Sequence, residues 1–162
     1  MAKLGYDIGI RRVMPEDSVK VWKWRNNPLV RNVSFSVKEI SWEIHNKWFN
    51  EKLRGRNSYM YIAYIRNDDD LDYDVGVIRF DIKGNYAEVN VFLSPSYIGK
   101  GLGYTIIMSG TEQFVIDSGV MKIIALIKGD NIASARSFEK AGYKFKGRTG
   151  NNDTLIYTWE IL

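Results

Sequence analysis

Residues 87–103, AEVNVFLSPSYIGKGLG, constrain the fold most. An alternating strand-like run stops at Pro95, and Gly99, Gly101 and Gly103 then open a helical run over about residues 102–118. Glycine strips Cβ from the turn, so backbone N–H groups can face a ligand directly. The helix behind it adds unpaired N–H groups and a partial positive charge. The combination suits a pyrophosphate or another anion, although the same spacing also makes a tight turn with no ligand. A nucleotide P-loop needs Ser or Thr after Gly-Lys, and here Gly101 follows Lys100. A dinucleotide fold would place its glycines in an early βαβ unit with an acid ending the next strand. This turn lies past mid-chain, and the strand expected over residues 122–128 ends without that acid.

Residues 130–143, DNIASARSFEKAGY, read as a short helix capped by Asp130 or Asn131 and stopped by Gly142. Gly-Lys-Gly-Leu-Gly, a helix, a strand and then Asn-x-x-Ser-x-x-x-Phe-Glu-Lys-x-Gly-Tyr together resemble the GNAT acetyltransferase family. The resemblance covers residues 86–148 and two motifs in order. It implies one α/β domain over residues 1–162, with a mixed, mostly antiparallel sheet, splayed central strands and flanking helices. It implies acetyl-CoA as co-substrate; no metal is expected, because no spaced ligand cluster suggests one. The expected cofactor contacts are Ile98, Gly99, Lys100, Gly101, Leu102, Gly103 and Tyr104 at the turn. Asn131 would contact or orient the pantetheine arm, and could equally be a plain helix cap; Ser134 is a further expected cofactor contact, Phe138 would pack beside the thioester, and backbone N–H groups near Phe92 and Leu93 would hold the acetyl carbonyl. The chain departs from the family twice: Ile98 stands where Gln or Arg is frequent, and Phe138 where a catalytic Tyr is frequent. The first is tolerable because backbone groups do the binding. The second removes a general acid. A thiol with a reference pKa of roughly 8.5 leaves tolerably without one, and water or Tyr143 could replace it.

The rest of the chain reads in the same order. A strand is expected over residues 8–14 and a helix from Pro15-Glu16-Asp17 to the break at Asn26-Asn27-Pro28. A second helix is expected over 37–53, with Ile40, Ile44, Trp48 and Phe49 near helical spacing. Strands follow over 58–66, 75–83 and 86–93, with a solvated acidic turn at 67–70 and a hairpin at Gly84-Asn85. Strands over 143–147 and 155–161 close the chain.

The implied reaction needs an amine stripped of its proton and a donor for the thioester oxygen. Strand alternation puts Glu88, Asn90 and Phe92 on one face. Glu88 is the candidate general base, since family members use a strand Glu here, and it could equally be a structural carboxylate. Asn90 could bind acceptor or a neighbouring strand. The segment Trp24-Arg25-Asn26-Asn27-Pro28-Leu29-Val30-Arg31 is similar to the branch acting on amino-sugar nucleotides of pseudaminic-acid type. The same pattern occurs in acetyltransferases of ribosomal-protein N-termini and polyamines. Arg25 and Arg31 could meet a diphosphate, and His45 could be catalytic or a helix-surface residue. The expected function is acetyl transfer to a small amine, an amino-sugar nucleotide before a polyamine, antibiotic or protein N-terminus. A non-catalytic acyl-CoA sensor is the different class that Phe138 leaves open.

Composition narrows this further. There is no cysteine, which removes disulfides, cysteine metal sites and a cysteine acyl-enzyme. One histidine argues against a histidine metal site or a Ser-His triad. A net charge of +4 suits an anionic cofactor and is too small to argue for nucleic acid. No apolar run reaches membrane-spanning length and residues 1–10 lack a signal-peptide core. A cytoplasmic location is therefore expected, with a homodimer left open.

Overall fold

The computed structural model describes residues 6–66, 73–150 and 153–161. The chain runs β1 (Ile8–Arg12), a 3-10 turn (Pro15–Asp17), α1 (Ser18–Asn26), α2 (Pro28–Arg31), α3 (Trp42–Arg54), β2 (Ser58–Ile65), β3 (Tyr73–Lys83) and β4 (Tyr86–Leu93). A second 3-10 turn (Pro95–Tyr97) leads to α4 (Gly103–Ser118), β5 (Lys122–Lys128), α5 (Ile132–Lys140), β6 (Lys144–Thr149) and β7 (Thr154–Glu160). The seven strands form one sheet in the order β1-β2-β3-β4-β5-β7-β6. All neighbours are antiparallel except β4 and β5, which α4 connects as a parallel crossover.

That parallel pair is incomplete. β4 and β5 pair only from Ala87↔Ile123 to Val89↔Ala125, although β4 runs on to Leu93 and β5 to Lys128. The two strands splay beyond Val89 and leave a gap in the middle of the sheet.

The sheet is covered on both faces, so the core has two parts. On one face α4 and α5 bury Ile106, Phe114 and Phe138 against Ile78, Phe80, Val89 and Ile123. Phe80 and Phe114 stack with ring centroids 4.3 Å apart. On the other face α1 and α3 bury Val21 and Phe49 against Met60, Ile62 and Val77, with Trp48 and Phe92 at the margin. Alternation along β4 therefore sends Ala87, Val89, Val91 and Leu93 to the α4 side and Phe92 to the α3 side.

The second helix begins later than its apolar spacing suggests, at Trp42. Ile40 fits the helical period, but its backbone is claimed by α1. The Asn26 side chain accepts from Ile40 N–H at 2.8 Å and donates to its carbonyl at 2.8 Å, and Trp22 Nε1 donates to that carbonyl at 2.7 Å. Ser41 then caps α3 by accepting from Ile44 N–H. The acidic turn expected at 67–70 lies outside the described residues. No described helix is long and apolar enough to cross a membrane.

Candidate active site

The turn before α4 takes its shape from glycine. Gly99 and Gly101 have φ of +78° and +76°, and a Cβ on either would meet nothing within 4 Å. Backbone conformation, not crowding, therefore demands glycine at both positions. Gly103 has a different reason: a Cβ there would lie 2.8 Å from Ser137 Oγ, where α4 meets α5. Leu102, at the N-cap, offers no side-chain acceptor. The N–H groups of Gly103, Tyr104 and Thr105 consequently have no partner within the helix. Lys100 Nζ lies 5.6 Å from the Tyr97 ring and Lys140 Nζ 3.8 Å from the Tyr104 ring, so two cations flank this turn. Lys140 was not among the residues expected there; its place in the Phe-Glu-Lys-x-Gly-Tyr run was the available signal.

The splay supplies the second element. Ser94 N–H donates to the Val75 carbonyl at 2.7 Å, on the β3 side of β4. Successive N–H groups alternate between edges, so those of Leu93 and Val91 face the gap. Phe92 N–H points the other way, toward β3. Of the two residues expected to hold the acetyl carbonyl, Leu93 has the orientation.

Across the sheet, Arg25, His45 and Phe92 meet in a cavity of about 190 Å³, completed by Val21, Ile40, Ile44 and Trp48. Arg25 has no hydrogen-bond, ion-pair or ring partner among the described residues. Burial, and then the nearby Arg79, push its guanidinium below its ordinary pKa. Arg79 is itself committed, paired to Asp81 at 2.9 Å and lying 5.0 Å over the Trp48 ring. His45 is buried with Nε2 2.9 Å from the Ser18 carbonyl. Burial lowers its pKa most, the Ser18 bond opposes this, and Arg25 lowers it further. A larger open groove of about 610 Å³ lies along Trp22, Lys23, Asn26 and Glu39, and shares Ile40 with the cavity. Its lining includes no residue of β4.

Residues 7–144 match the model of the acetyltransferase (GNAT) domain. The chain belongs to this family. A curated relative, an uncharacterized protein of Methanocaldococcus jannaschii, is 26% identical over 159 residues, covering 96% of this chain. The chain spans only 32% of that longer protein. A solved domain from Methanocaldococcus jannaschii superposes with a TM-score of 0.82 at 25% identity, over 97% of this chain and 100% of that one. Spermidine N-acetyltransferase from Vibrio cholerae, solved with CoA and spermine, superposes with a TM-score of 0.79 over 96% of this chain and 95% of that one. At 15% identity this second likeness speaks to the fold alone.

The enzyme class of a GNAT domain is acetyl-CoA-dependent N-acetyl transfer, and the residues fit that co-substrate. The uncapped α4 start with its two positive-φ glycines can take the pyrophosphate. The gap beside Leu93 can take the thioester end.

The remaining GNAT-type candidates are distributed as follows. Ile98, Gly99, Lys100 and Gly101 are exposed, and Leu102 is buried beneath them. Asn131 caps α5 by accepting from Ser134 N–H at 3.2 Å, and its amide donates at 3.4 Å to the Val33 carbonyl. That bond ties the start of α5 to the segment after α2. Phe138 is buried in the core and meets Tyr143 edge-on at 5.0 Å. Tyr143 is no substitute acid: its hydroxyl bonds Thr111 Oγ1 at 2.8 Å within the core, and burial pushes it well above its ordinary pKa.

Glu88 and Phe92 share a face but not a place. Glu88 sits on the paired half of β4, opposite Asp81 and Ile124, with its carboxylate 3.0 Å from Lys83 Nζ. Four residues of strand separate it from Phe92, about 13 Å at ~3.3 Å per residue. Asn90 is exposed and does not line the cavity. Arg31 is occupied: it donates to the carbonyls of Asn26 at 2.8 Å and Val37 at 3.0 Å, holding the α2–α3 connection. Sequence reasoning missed Val21, Ile40, Ile44 and Trp48 as cavity walls because their spacing reads equally as core.

Proposed function

We propose that this domain transfers the acetyl group of acetyl-CoA to the amine of a small acceptor that also carries an anionic group. An amino-sugar nucleotide is the form the Trp24–Arg31 pattern favours. The observation that supports the reading is Arg25, a half-buried guanidinium that among the described residues has no carboxylate partner and shares its cavity with no Asp or Glu. Burying an unpaired cation is costly unless a ligand supplies the counter-charge. Guanidinium suits phosphate and carboxylate geometry. A polyamine would meet the opposite situation. Two like charges ~5 Å apart in an effective dielectric of ~20 repel by roughly 3 kcal/mol, about a hundredfold in affinity.

The chemistry follows from the two sides of the gap. Bound acetyl-CoA supplies an activated acyl carbon. The α4 start holds its phosphates, Leu93 N–H stabilises the developing oxyanion, and the Arg25 cavity brings the amine from the opposite face. A panel of acceptors, with release of free CoA thiol as readout, tests the reading. UDP-linked 4-amino sugars and other amines bearing phosphate or carboxylate should turn over. Preference for spermidine, kanamycin or an N-terminal peptide would leave the acetyltransferase class standing and remove the anionic acceptor.

A further inference from the structure

Three observations about His45 converge on a role its helical spacing does not reveal. Its Nε2 lies 2.9 Å from the Ser18 carbonyl oxygen and 3.2 Å from Ser18 Oγ, and the closer of the two is an oxygen that can only accept. Only an N–H can bond a carbonyl, so Nε2 carries the proton and, in the neutral ring, Nδ1 carries the lone pair. Among the described residues Nδ1 has no hydrogen-bond partner, and no fully buried side-chain nitrogen lacks one. Nδ1 is therefore reachable, and the cavity that His45 lines is the one shared with Arg25 and Phe92. The ring is held by Trp42, Trp48 and Phe49, with centroids 5.5–5.8 Å away.

We propose that His45 Nδ1, and not Glu88, is the proton acceptor for the reacting amine. The inference rests on the acetyltransferase reading above. In the step, the acceptor ammonium gives one proton to Nδ1. The freed nitrogen lone pair forms the C–N bond to the thioester carbon. The C–S bond then breaks, its electron pair leaves with sulfur as thiolate, and the second nitrogen proton is lost to solvent. Solvent later takes the proton from Nδ1.

The surroundings suit a base that is neutral before it acts. From α1, Ser18, Val21 and Arg25 face the ring; from α3, Trp42, Trp48 and Phe49; from β4, Phe92. Arg79 of β3 stands behind Arg25, and its partner Asp81 is also held by Lys52. The uncompensated charge near the ring is thus positive, and an anionic acceptor pairing Arg25 would relieve it as the amine arrives. Glu88 lies on the paired half of β4, bound to Lys83.

His45 is the only histidine of the chain, so its imidazole can be followed without assignment ambiguity. Nitrogen-15 NMR of the free protein should show the Nε2–H tautomer with a pKa below 6.5. The kinetic arm uses His45→Gln, whose amide can still donate to the Ser18 carbonyl, beside Glu88→Gln. At pH 7, His45→Gln should lower kcat/KM for the acceptor by about 10²-fold or more, the usual size of a general-base effect. Its acetyl-CoA affinity should be unchanged, and the limb of the pH profile matching the NMR titration should vanish. Glu88→Gln should stay within about threefold of wild type. An Nδ1–H tautomer, or near-normal turnover of His45→Gln with a crippled Glu88→Gln, would overturn the proposal. Wild-type protein that binds acetyl-CoA but acetylates no amine in the panel would overturn the underlying reading instead, whatever the tautomer.

Discussion

Arg25 and Arg31 show how one residue type takes two fates within seven positions. Both follow from where the backbone sends the guanidinium. Arg31 finds carbonyls left unpaired at the α1–α2 break and in the following loop, and becomes a clamp. Arg25, six residues earlier on α1, points at the sheet and finds only aromatic and aliphatic walls. Replacing Arg25 with Met keeps much of the volume and removes the charge. The acceptor's KM should rise about 10- to 10²-fold, matching a charge-assisted hydrogen bond of ~1.5–3 kcal/mol. Its kcat should change little, because the contact exists in ground and transition states alike. The KM for acetyl-CoA should stay put, and a simple amine without an anionic group should react no worse with the variant. An equal fall in kcat for every amine, measured by steady-state kinetics, would place Arg25 in the chemistry itself. The two arginines could not be told apart from their spacing, since the difference lies in long-range carbonyl partners.

At the scale of elements, the α4 turn carries the cofactor claim. Gly101→Glu puts a negative charge where the pyrophosphate is expected and forces a side chain onto a φ of +76°. The strain at an exposed turn costs about 1 kcal/mol, so the variant should fold. Calorimetry should find acetyl-CoA binding lost; unchanged affinity in a folded variant would remove the site from this turn. This element was legible because its punctuation is local: Gly84-Asn85 and Pro95 bracket β4, whose limits match the expectation of 86–93. β5 matches 122–128 for the same reason. The start of α3 was not legible at 37. Ile40 continues the apolar period, and only the folded chain brings Asn26 and Trp22 onto its backbone. Ser41 before Trp42-Glu43 was the local signal, and the earlier apolar residues outweighed it. The spaced glycines were found, but Gly103 proves to be a packing contact with Ser137, a distance no sequence spacing encodes.

For the whole molecule, the cavity depends on how the α1–α3 layer is fastened to the sheet. A charged node does this at the start of α1. Asp17 accepts from Arg11 at 2.8 Å and from Met14 N–H at 2.8 Å, while Asp74 pairs with both Arg11 and Lys20. Burial alone would raise the Asp17 carboxyl; the Arg11 hydrogen bond and the Met14 N–H overcome it and hold the pKa below its ordinary value. Asp81 is lowered likewise: burial opposes, and Arg79, Ser58 and Lys52 prevail. A carboxyl depressed in the folded state stabilises fully above its unfolded pKa of ~3.9 and loses that contribution as pH falls through the folded value. His45, lowered mainly by burial, adds to acid sensitivity because it must charge inside the fold. Urea unfolding should therefore show stability falling below about pH 5. Asp17→Asn should cost about 2 kcal/mol at pH 7, and the variant should lose part of the acid dependence. An acid profile identical to wild type would deny the node this role.

The central claim is transfer of acetyl to an amine carrying an anion. The direct measurement is thiol release from acetyl-CoA with matched acceptors, the same amino sugar with and without its nucleotide diphosphate, and spermidine beside them. The account predicts a higher kcat/KM for the diphosphate-bearing amine, by about 10-fold or more, and an advantage that disappears in Arg25→Met. Equal use of both sugars, or spermidine used best, would contradict it.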